Sequence, residues 1–412
     1  PTLSFNNSSG SDQYTITEQD GTQTVDIRLS AVSAKTVSVD YATSATYSFP
    51  TFTAANIVTN ADGALDVHAA DIDGDGDLDI VSSSKFDNTI AWYENDGAAD
   101  PGWTKNAIFT SANGAYDVQV GDIDGDGDLD IVSAAYQGSI QWHENDGAAN
   151  PNWSTTSLGG GDGRDVFLAD LDSDGDLDII AAFNVQDKIT WFENDGATNP
   201  SFSSTDIATG VDGAHDVHVA DMDNDGDLDI VSASENDDTI AWYENNGAAD
   251  PTFTAADIAT NADHAEDVHV ADIDGDGDLD IVSASSNDST IAWYENSGTA
   301  DPIFTASDIT TSASGAHDIF LIDIDHDGDV DIVSAEKNDG TIAWYENNGV
   351  ANPTWTGTDI DTNALGARSV YVADMDGDGD LDILSASEDD DTIAWYESDI
   401  DVSRSNAPYK NI

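Results

Sequence analysis

A ten-residue acidic segment recurs seven times, and this recurrence constrains the chain more than any other feature. The copies begin at Asp71, Asp122, Asp170, Asp221, Asp272, Asp323 and Asp374, at intervals of 51, 48, 51, 51, 51 and 51 residues. Each reads Asp-x-Asp-x-Asp-Gly-Asp-x-Asp-Ile. Two further markers keep step with it. One is a tryptophan followed two residues later by Glu, at Trp92, Trp142, Trp191, Trp242, Trp293, Trp344 and Trp395. The other is Pro-x-aromatic, ending at Phe52, Trp103, Trp153, Phe202, Phe253, Phe304 and Trp355. A period near 50 residues marks a repeat architecture, in which each unit buries its apolar surface against its neighbours.

Inside a unit the apolar residues alternate with period two. Val217 and Val219 alternate with His218 and Ala220, and Leu228, Ile230 and Val231 open a second run. Ile240, Trp242 and Glu244 alternate with Ala241 and Tyr243, and Phe253 to Ile258 is a weaker fourth run. Asp225-Gly226, Asn236-Asp237 and Asn246-Gly247 supply turns between them. Four short strands per unit predict an all-β fold, a seven-bladed β-propeller. A linear solenoid needs atypical end repeats, yet the first and last acidic segments match the middle ones. One Pro-x-aromatic segment precedes the first acidic loop, and none follows the last Trp strand. The propeller is therefore expected over 50–397, closed by pairing 50–59 with the last blade, which removes exposed sheet edges.

Charge narrows the function classes. Among 412 residues, 83 are Asp or Glu and 10 are Lys or Arg, a formal charge of -73. No basic face is available for nucleic acid or for an anionic membrane, and no apolar run is long enough to span a bilayer. Without cysteine there is no thiol chemistry, thiolate metal site or disulfide. Such one-signed charge suggests disorder, but 39% apolar residues with 10 Trp, 12 Tyr and 12 Phe can fill a large core. Pro1 begins the chain without a charged-then-apolar leader, so a secretion signal is expected to be absent or already removed.

Five carboxylates in nine residues repel one another unless a cation sits among them. An all-oxygen set at alternating positions suits Ca²⁺, which takes six to eight such ligands. The candidate metal residues are Asp71, Asp73, Asp75, Asp77 and Asp79 in the first loop, and Asp122, Asp124, Asp126, Asp128 and Asp130 in the second. They continue with Asp170, Asp172, Asp174, Asp176 and Asp178, then Asp221, Asp223, Asp225, Asp227 and Asp229. The last three loops give Asp272, Asp274, Asp276, Asp278 and Asp280, then Asp323, Asp325, Asp327, Asp329 and Asp331, then Asp374, Asp376, Asp378, Asp380 and Asp382. The first, third, fifth and ninth positions offer carboxylates, the sixth a glycine for the bend, and the seventh its backbone carbonyl. The start reads like an EF-hand loop, but position 12 is Ser or Ala (Ser82, Ala181) where an EF-hand has Glu. A salt-adapted acidic coat and a catalytic ion are the alternatives, and seven identical spacings argue against both. About seven structural Ca²⁺ ions are expected, changing the charge from -73 to -73 + 14 = -59.

The repeated segment resembles the FG-GAP/VCBS family of calcium-binding propeller repeats, related to the integrin α-subunit head, over residues 50–397. The resemblance implies that each loop joins the first two strands of a blade and holds one Ca²⁺. The Gly-Gly and Trp-Asp signatures of kelch and WD-type propellers are absent. Residues 1–49 lack an acidic loop. Val25, Ile27 and Leu29, then Val37, Val39 and Tyr41, alternate with polar residues, and the segment resembles the first half of a Calx-β domain. That predicts a small incomplete N-terminal β-sandwich whose apolar face needs a cover. The cover is its own propeller, the tail 398–412, where Ile400 and Val402 alternate as an added strand, or another chain, giving a fibre or oligomer.

Variation inside a uniform repeat shows where one blade differs in task. The residue before each inner-strand Asp, or before Ser369 in the last unit, is Leu65, Tyr116, Arg164, His215, Glu266, His317 or Arg368. Two residues past that Asp come His68, Gln119, Phe167, His218, His269, Phe320 and Tyr371. The first set is expected to ring one mouth of the central channel. It is a candidate ligand ring for a sugar or anionic glycan, set against unselected drift at an exposed loop. No acid–base pair or Ser-His-Asp set stands out, so no enzyme is expected. The expected function is a calcium-stabilised structural or adhesive protein, extracellular or at a cell surface, secreted by a bacterium into a calcium-containing medium. Copies of itself or surface glycans are the expected partners. A lectin-like module and, more remotely, a polysaccharide lyase are the alternatives.

Overall fold

The computed structural model describes residues 51–300 and 302–399. The sandwich expected over 1–49 and the strand expected at Ile400 and Val402 lie outside the described residues. The described elements are 28 strands in seven four-stranded antiparallel sheets. The first blade runs outward through Ala64–Ala70, Asp79–Ser84, Thr89–Asn95 and Trp103–Phe109. The seventh runs through Ala367–Ala373, Asp382–Ser387 and Thr392–Ser398, and its outer strand is Phe52–Val58, from the other end of the chain. Phe52 pairs with Ser398 and Ala54 with Tyr396. Each innermost strand contacts the next, and the seventh contacts the first, so the ring is closed.

Sequence explains the layering. The second strands, such as Asp-Ile-Val-Ser-Ala-Ser at Asp229–Ser234, are buried at every position. Their small Ser and Ala residues let neighbouring blades approach. The outer strands, such as Phe253–Ala259, are exposed through their middle and carry Thr, Ala and Asp to the rim. Charge on these rim strands, as at Asp257, blunts edge pairing.

The core lies between blades. Seven apolar clusters each join two adjacent sheets. Trp191 packs with Ala214, Val217 and Val219 of the following blade. The aromatic of the Pro-x-aromatic marker closes such a seam, with Phe202 edge-on to Trp142 of the preceding blade at 6.1 Å. The seven marker tryptophans are 1–5% exposed.

One local irregularity repeats seven times and positions the site. In the first blade Ala64 pairs with Ser84 and Asp66 with Ser83, leaving Leu65 unpaired. The same register shift falls at Tyr116, Arg164, His215, Glu266, His317 and Arg368. A bulge interrupts strand alternation and re-aims a side chain. Here it lets two consecutive side chains, the mouth residue and the following Asp or Ser, line the same channel.

Candidate functional site

The acidic loops link the first and second strands of every blade. In the first, both oxygens of Asp71 are held by backbone donors, Asp75 N at 3.0 Å and Gly76 N at 3.1 Å. Asp73 and Asp75 accept from Asp75 N and Asp77 N two residues on. Gly76 makes the bend at φ 104°, in the left-handed region that disfavours side chains. Ligand atoms of Asp71, Asp73 and Asp79 lie within 4.8 Å of one another, as do those of Asp122, Asp124 and Asp126. At such spacing two carboxylates repel by about 3–4 kcal/mol at an effective dielectric of about 20. The hard, all-oxygen donor set fits Ca²⁺. The seventh-position carboxylate leaves this group, as Asp77 lies against Gly97 in the turn after the Trp strand, so its backbone carbonyl is what it can offer an ion.

The ninth position belongs to both loop and seam. Asp79 accepts from Ile72 N at 3.1 Å and from Asn95 N at 2.8 Å. Burial raises its carboxyl to about 7, and the equivalent Asp331 to about 8. A bound cation favours the charged form of such a group. Asn95 then donates to Leu78 O of its own loop and to Met375 O of the preceding blade's loop. Asn145, Asn194, Asn245, Asn296 and Asn347 repeat this tie, each to the loop before. Six of the seven Trp-x-Glu markers are followed by this Asn, and Ser398 takes the place in the last.

The mouth residues do not form an exposed loop. Tyr116, His215, Glu266 and His317 are 5–7% exposed and bond to one another. His215 Nε2 lies 3.0 Å from Tyr116 Oη and 3.0 Å from Glu266 Oε2. His317 Nε2 accepts from Arg368 Nη1 and lies 3.7 Å from Glu266 Oε2. Arg368 also donates through Nε to Glu388 at 2.7 Å, and Lys85 reaches Glu388 at 3.2 Å. Arg164 stacks between Tyr116 and Tyr136 at 4.6 and 4.8 Å. Burial pushes the Glu266 carboxyl up, but the surrounding imidazoles, His215 foremost, outweigh it and hold it well below 4.5. Burial, aided by the Arg368 charge, holds His317 well below 6.5.

Beneath the mouth lies a tier that the sequence reading did not single out. Asp66, Asp117, Asp165, Asp216, Asp267 and Asp318 line the channel with Ser369. Each Asp accepts a backbone N–H from the next blade, as Val118 N does to Asp66 at 3.0 Å and Val166 N to Asp117 at 3.0 Å. Ser369 Oγ donates to Asp66 at 2.8 Å, completing the circle. Burial raises all six carboxyls, Asp66 to about 6 and the rest well above 3.8, with neighbouring carboxyls adding to the shift for Asp117 and Asp165. Below this tier His68, Tyr371, Phe320, His269, His218 and Phe167 make a run of ring contacts at 4.5–6.1 Å. The space left beside the upper two tiers is about 60 Å³. The sequence signal for the acid tier was an Asp at one place in six units, next to the residue that drew attention.

The sequence matches the FG-GAP-like repeat family over residues 71–133, 124–181, 170–232, 221–283, 272–334 and 323–385. The chain therefore belongs to the FG-GAP-like repeat family, as a seven-bladed propeller. No curated protein matches it in sequence. Among solved structures, an Agrocybe aegerita lectin described as recognising non-reducing terminal N-acetylglucosamine is similar at 18% identity and a TM-score of 0.52, over 73% of this chain and 81% of the lectin. BBS1N, solved in complex with ARL6DN, is similar at 11% identity and a TM-score of 0.57, over 85% of this chain and 97% of that one. Rhamnogalacturonan lyase YesW aligns at 14% identity and a TM-score of 0.46, over 84% of this chain and 72% of that one. At these identities the likeness to the lectin and to BBS1N is one of fold. No helix among the described residues is long and apolar enough to cross a membrane.

Proposed function

We propose that the protein is a calcium-stapled propeller serving a cell surface or extracellular material as a structural or adhesive element. One observation supports this above others. The same carboxylate cradle recurs in the blades and is tied by Asn95 and its counterparts into the seam with the preceding blade. An ion held there tightens a seam, so calcium serves the whole ring and not one reaction. Extracellular calcium is near millimolar, enough to fill even weak sites. Self-assembly through residues 1–49 belongs to this reading. Electron microscopy and sedimentation of the full chain in calcium test it. Ordered oligomers or fibres are expected, and monomers at every concentration overturn the assembly.

A second reading has its own observation. A cavity of about 410 Å³ lies between the fifth and sixth blades, lined by Tyr345, Trp355, Glu336, Asp339, Asp359 and Thr310 among others. Its volume falls in the range of small-ligand sites. The sixth blade departs from the others here. Glu336 stands where four blades have Ser, and accepts from Tyr345 Oη at 2.6 Å. Gly357 is the residue opposite Tyr345, where other blades carry a side chain. Aromatic faces beside carboxylates and hydroxyls suit a sugar ring, as the name of the similar lectin also suggests. A glycan array with wild type and Trp355→Ala decides. Binding that the variant loses supports a lectin-like role, and no binding, or binding unchanged in the variant, removes it.

A further inference from the structure

Eight histidines occur in the chain, and three of them converge on one carboxylate. His215 Nε2 and His317 Nε2 lie 3.0 and 3.7 Å from Glu266 Oε2. His264 Nε2 lies 3.5 Å from Glu266 Oε1. His264 sits at the left-handed turn position, φ 63°, where five other blades carry Gly63, Gly114, Gly213, Gly315 and Gly366. A residue other than glycine is uncommon in that conformation.

Hydrogen bonding fixes which nitrogen of each ring is protonated on the carbonyl side and leaves Nε2 toward the carboxylate. His215 Nδ1 contacts Glu266 O at 2.6 Å, His317 Nδ1 contacts Arg368 O at 2.9 Å, and His264 Nδ1 contacts Glu235 O at 3.0 Å. A carbonyl oxygen only accepts, so each Nδ1 carries the proton. His317 Nε2 faces a guanidinium, which only donates, so that ring is neutral with its Nε2 lone pair on Arg368 Nη1. His215 Nε2 faces a carboxylate oxygen at 3.0 Å. Two acceptors at that distance repel unless a cation, a proton or a metal, lies between them. Histidines that ligate metals commonly donate their other N–H to a backbone carbonyl, which fixes ring orientation and raises ligand basicity.

We propose that His215, His317 and Glu266 form a binding site for one first-row divalent transition metal, of the Zn²⁺ or Co²⁺ kind, at the channel mouth. The three ligand atoms lie within 4.8 Å of one another and all three residues are more than nine-tenths buried. Ligands about 2.0–2.1 Å from a tetrahedral ion are about 3.4 Å apart. The observed 3.0 and 3.7 Å bracket that spacing. Two imidazoles with one carboxylate select zinc-like ions over Ca²⁺, which prefers oxygen. Tyr116 Oη and Arg368 Nη1 now cap the two Nε2 atoms, and an incoming ion displaces them. Glu388 retains the Arg368 charge when Nη1 is released. This site is separate in chemistry and place from the acidic loops.

The test uses full-length protein saturated with Ca²⁺, so that the loops are filled. Titration with Co²⁺ is expected to give one equivalent with the visible absorption of a nitrogen-ligated, low-coordinate ion. Zn²⁺ is expected to move the imidazole ¹⁵N resonances of His215 and His317. Glu266→Gln and His317→Gln, each shown folded by an unchanged calcium-dependent melt, are expected to weaken Co²⁺ by more than about 100-fold, beyond the loss typical of an outer-shell change. The proposal is overturned if no such absorption appears, or if it survives in both variants. It is equally overturned if the His215 ring carries two protons and ignores Zn²⁺, which would make the cation a proton.

Discussion

Asp117 shows what one side chain does in this ring. It faces the channel among other carboxyls and accepts Val166 N of the next blade at 3.0 Å. Burial, then Asp165 and Asp66, push its carboxyl well above 3.8. The folded state therefore keeps a proton that the unfolded chain releases. Its contribution to stability is complete below about pH 4 and is lost as pH rises toward the folded value. Asp117→Asn keeps an oxygen for Val166 N and removes the proton linkage. The variant is expected to melt above wild type at pH 8, by about 1 kcal/mol or more, and level with it at pH 4. Paired melts at the two values check this, and an equal gain at both contradicts the account. The Asp was visible in the sequence, but its role was not. Alternation assigns residues 65 and 66 to opposite faces, and only the unpaired Leu65 puts both on the channel. His264 was hidden for a related reason, since it occupies a position where the other blades largely carry glycine.

Elements were more legible than single side chains. Period-two runs such as Val217–Val219 and Ile240–Trp242 lie in Ala214–Ala220 and Thr239–Asn245 as strands. Asp225-Gly226 makes the turn, because Gly226 adopts φ 100°. Lateral coupling between loops was not legible, because it runs through an Asn whose partner lies about 70 residues away. Asn145 is 2% exposed and donates to Ile72 O and Leu129 O. Asn145→Ala leaves both carbonyls without this donor, so it is expected to cost about 1–3 kcal/mol and to weaken calcium binding in the two loops it joins. Calorimetric titration and melting in calcium measure both effects. Trp142 packs between its own blade and Phe202 and donates Nε1 to Asp130 at 2.9 Å. Trp142→Ala is expected to cost about 3–5 kcal/mol, read as a lower denaturant midpoint.

For the whole molecule, closure by Phe52–Val58 on Thr392–Ser398 ties together chain ends more than 300 residues apart. Thr51 adds a side-chain and a backbone bond to Asp399, at 2.6 and 2.7 Å. Protein lacking residues 1–50 is expected to fold as a monomeric ring. Protein lacking residues 1–59 leaves Thr392–Ser398 as an open edge and is expected to aggregate or swap strands, which sedimentation distinguishes. The number of blades could be counted from the sequence because three markers recur in step. The mouth could not be read so fully, because its cluster draws single residues from separate blades.

The seven loops hold 35 of the 83 acids, and the account makes their neutralisation a condition of the fold. Thermal melting of the full chain in excess chelator, followed by calcium back-titration, tests this most directly. The account predicts a large fall in melting temperature or outright unfolding, reversed by calcium at a stoichiometry near seven. A melting temperature unchanged by chelation would contradict it.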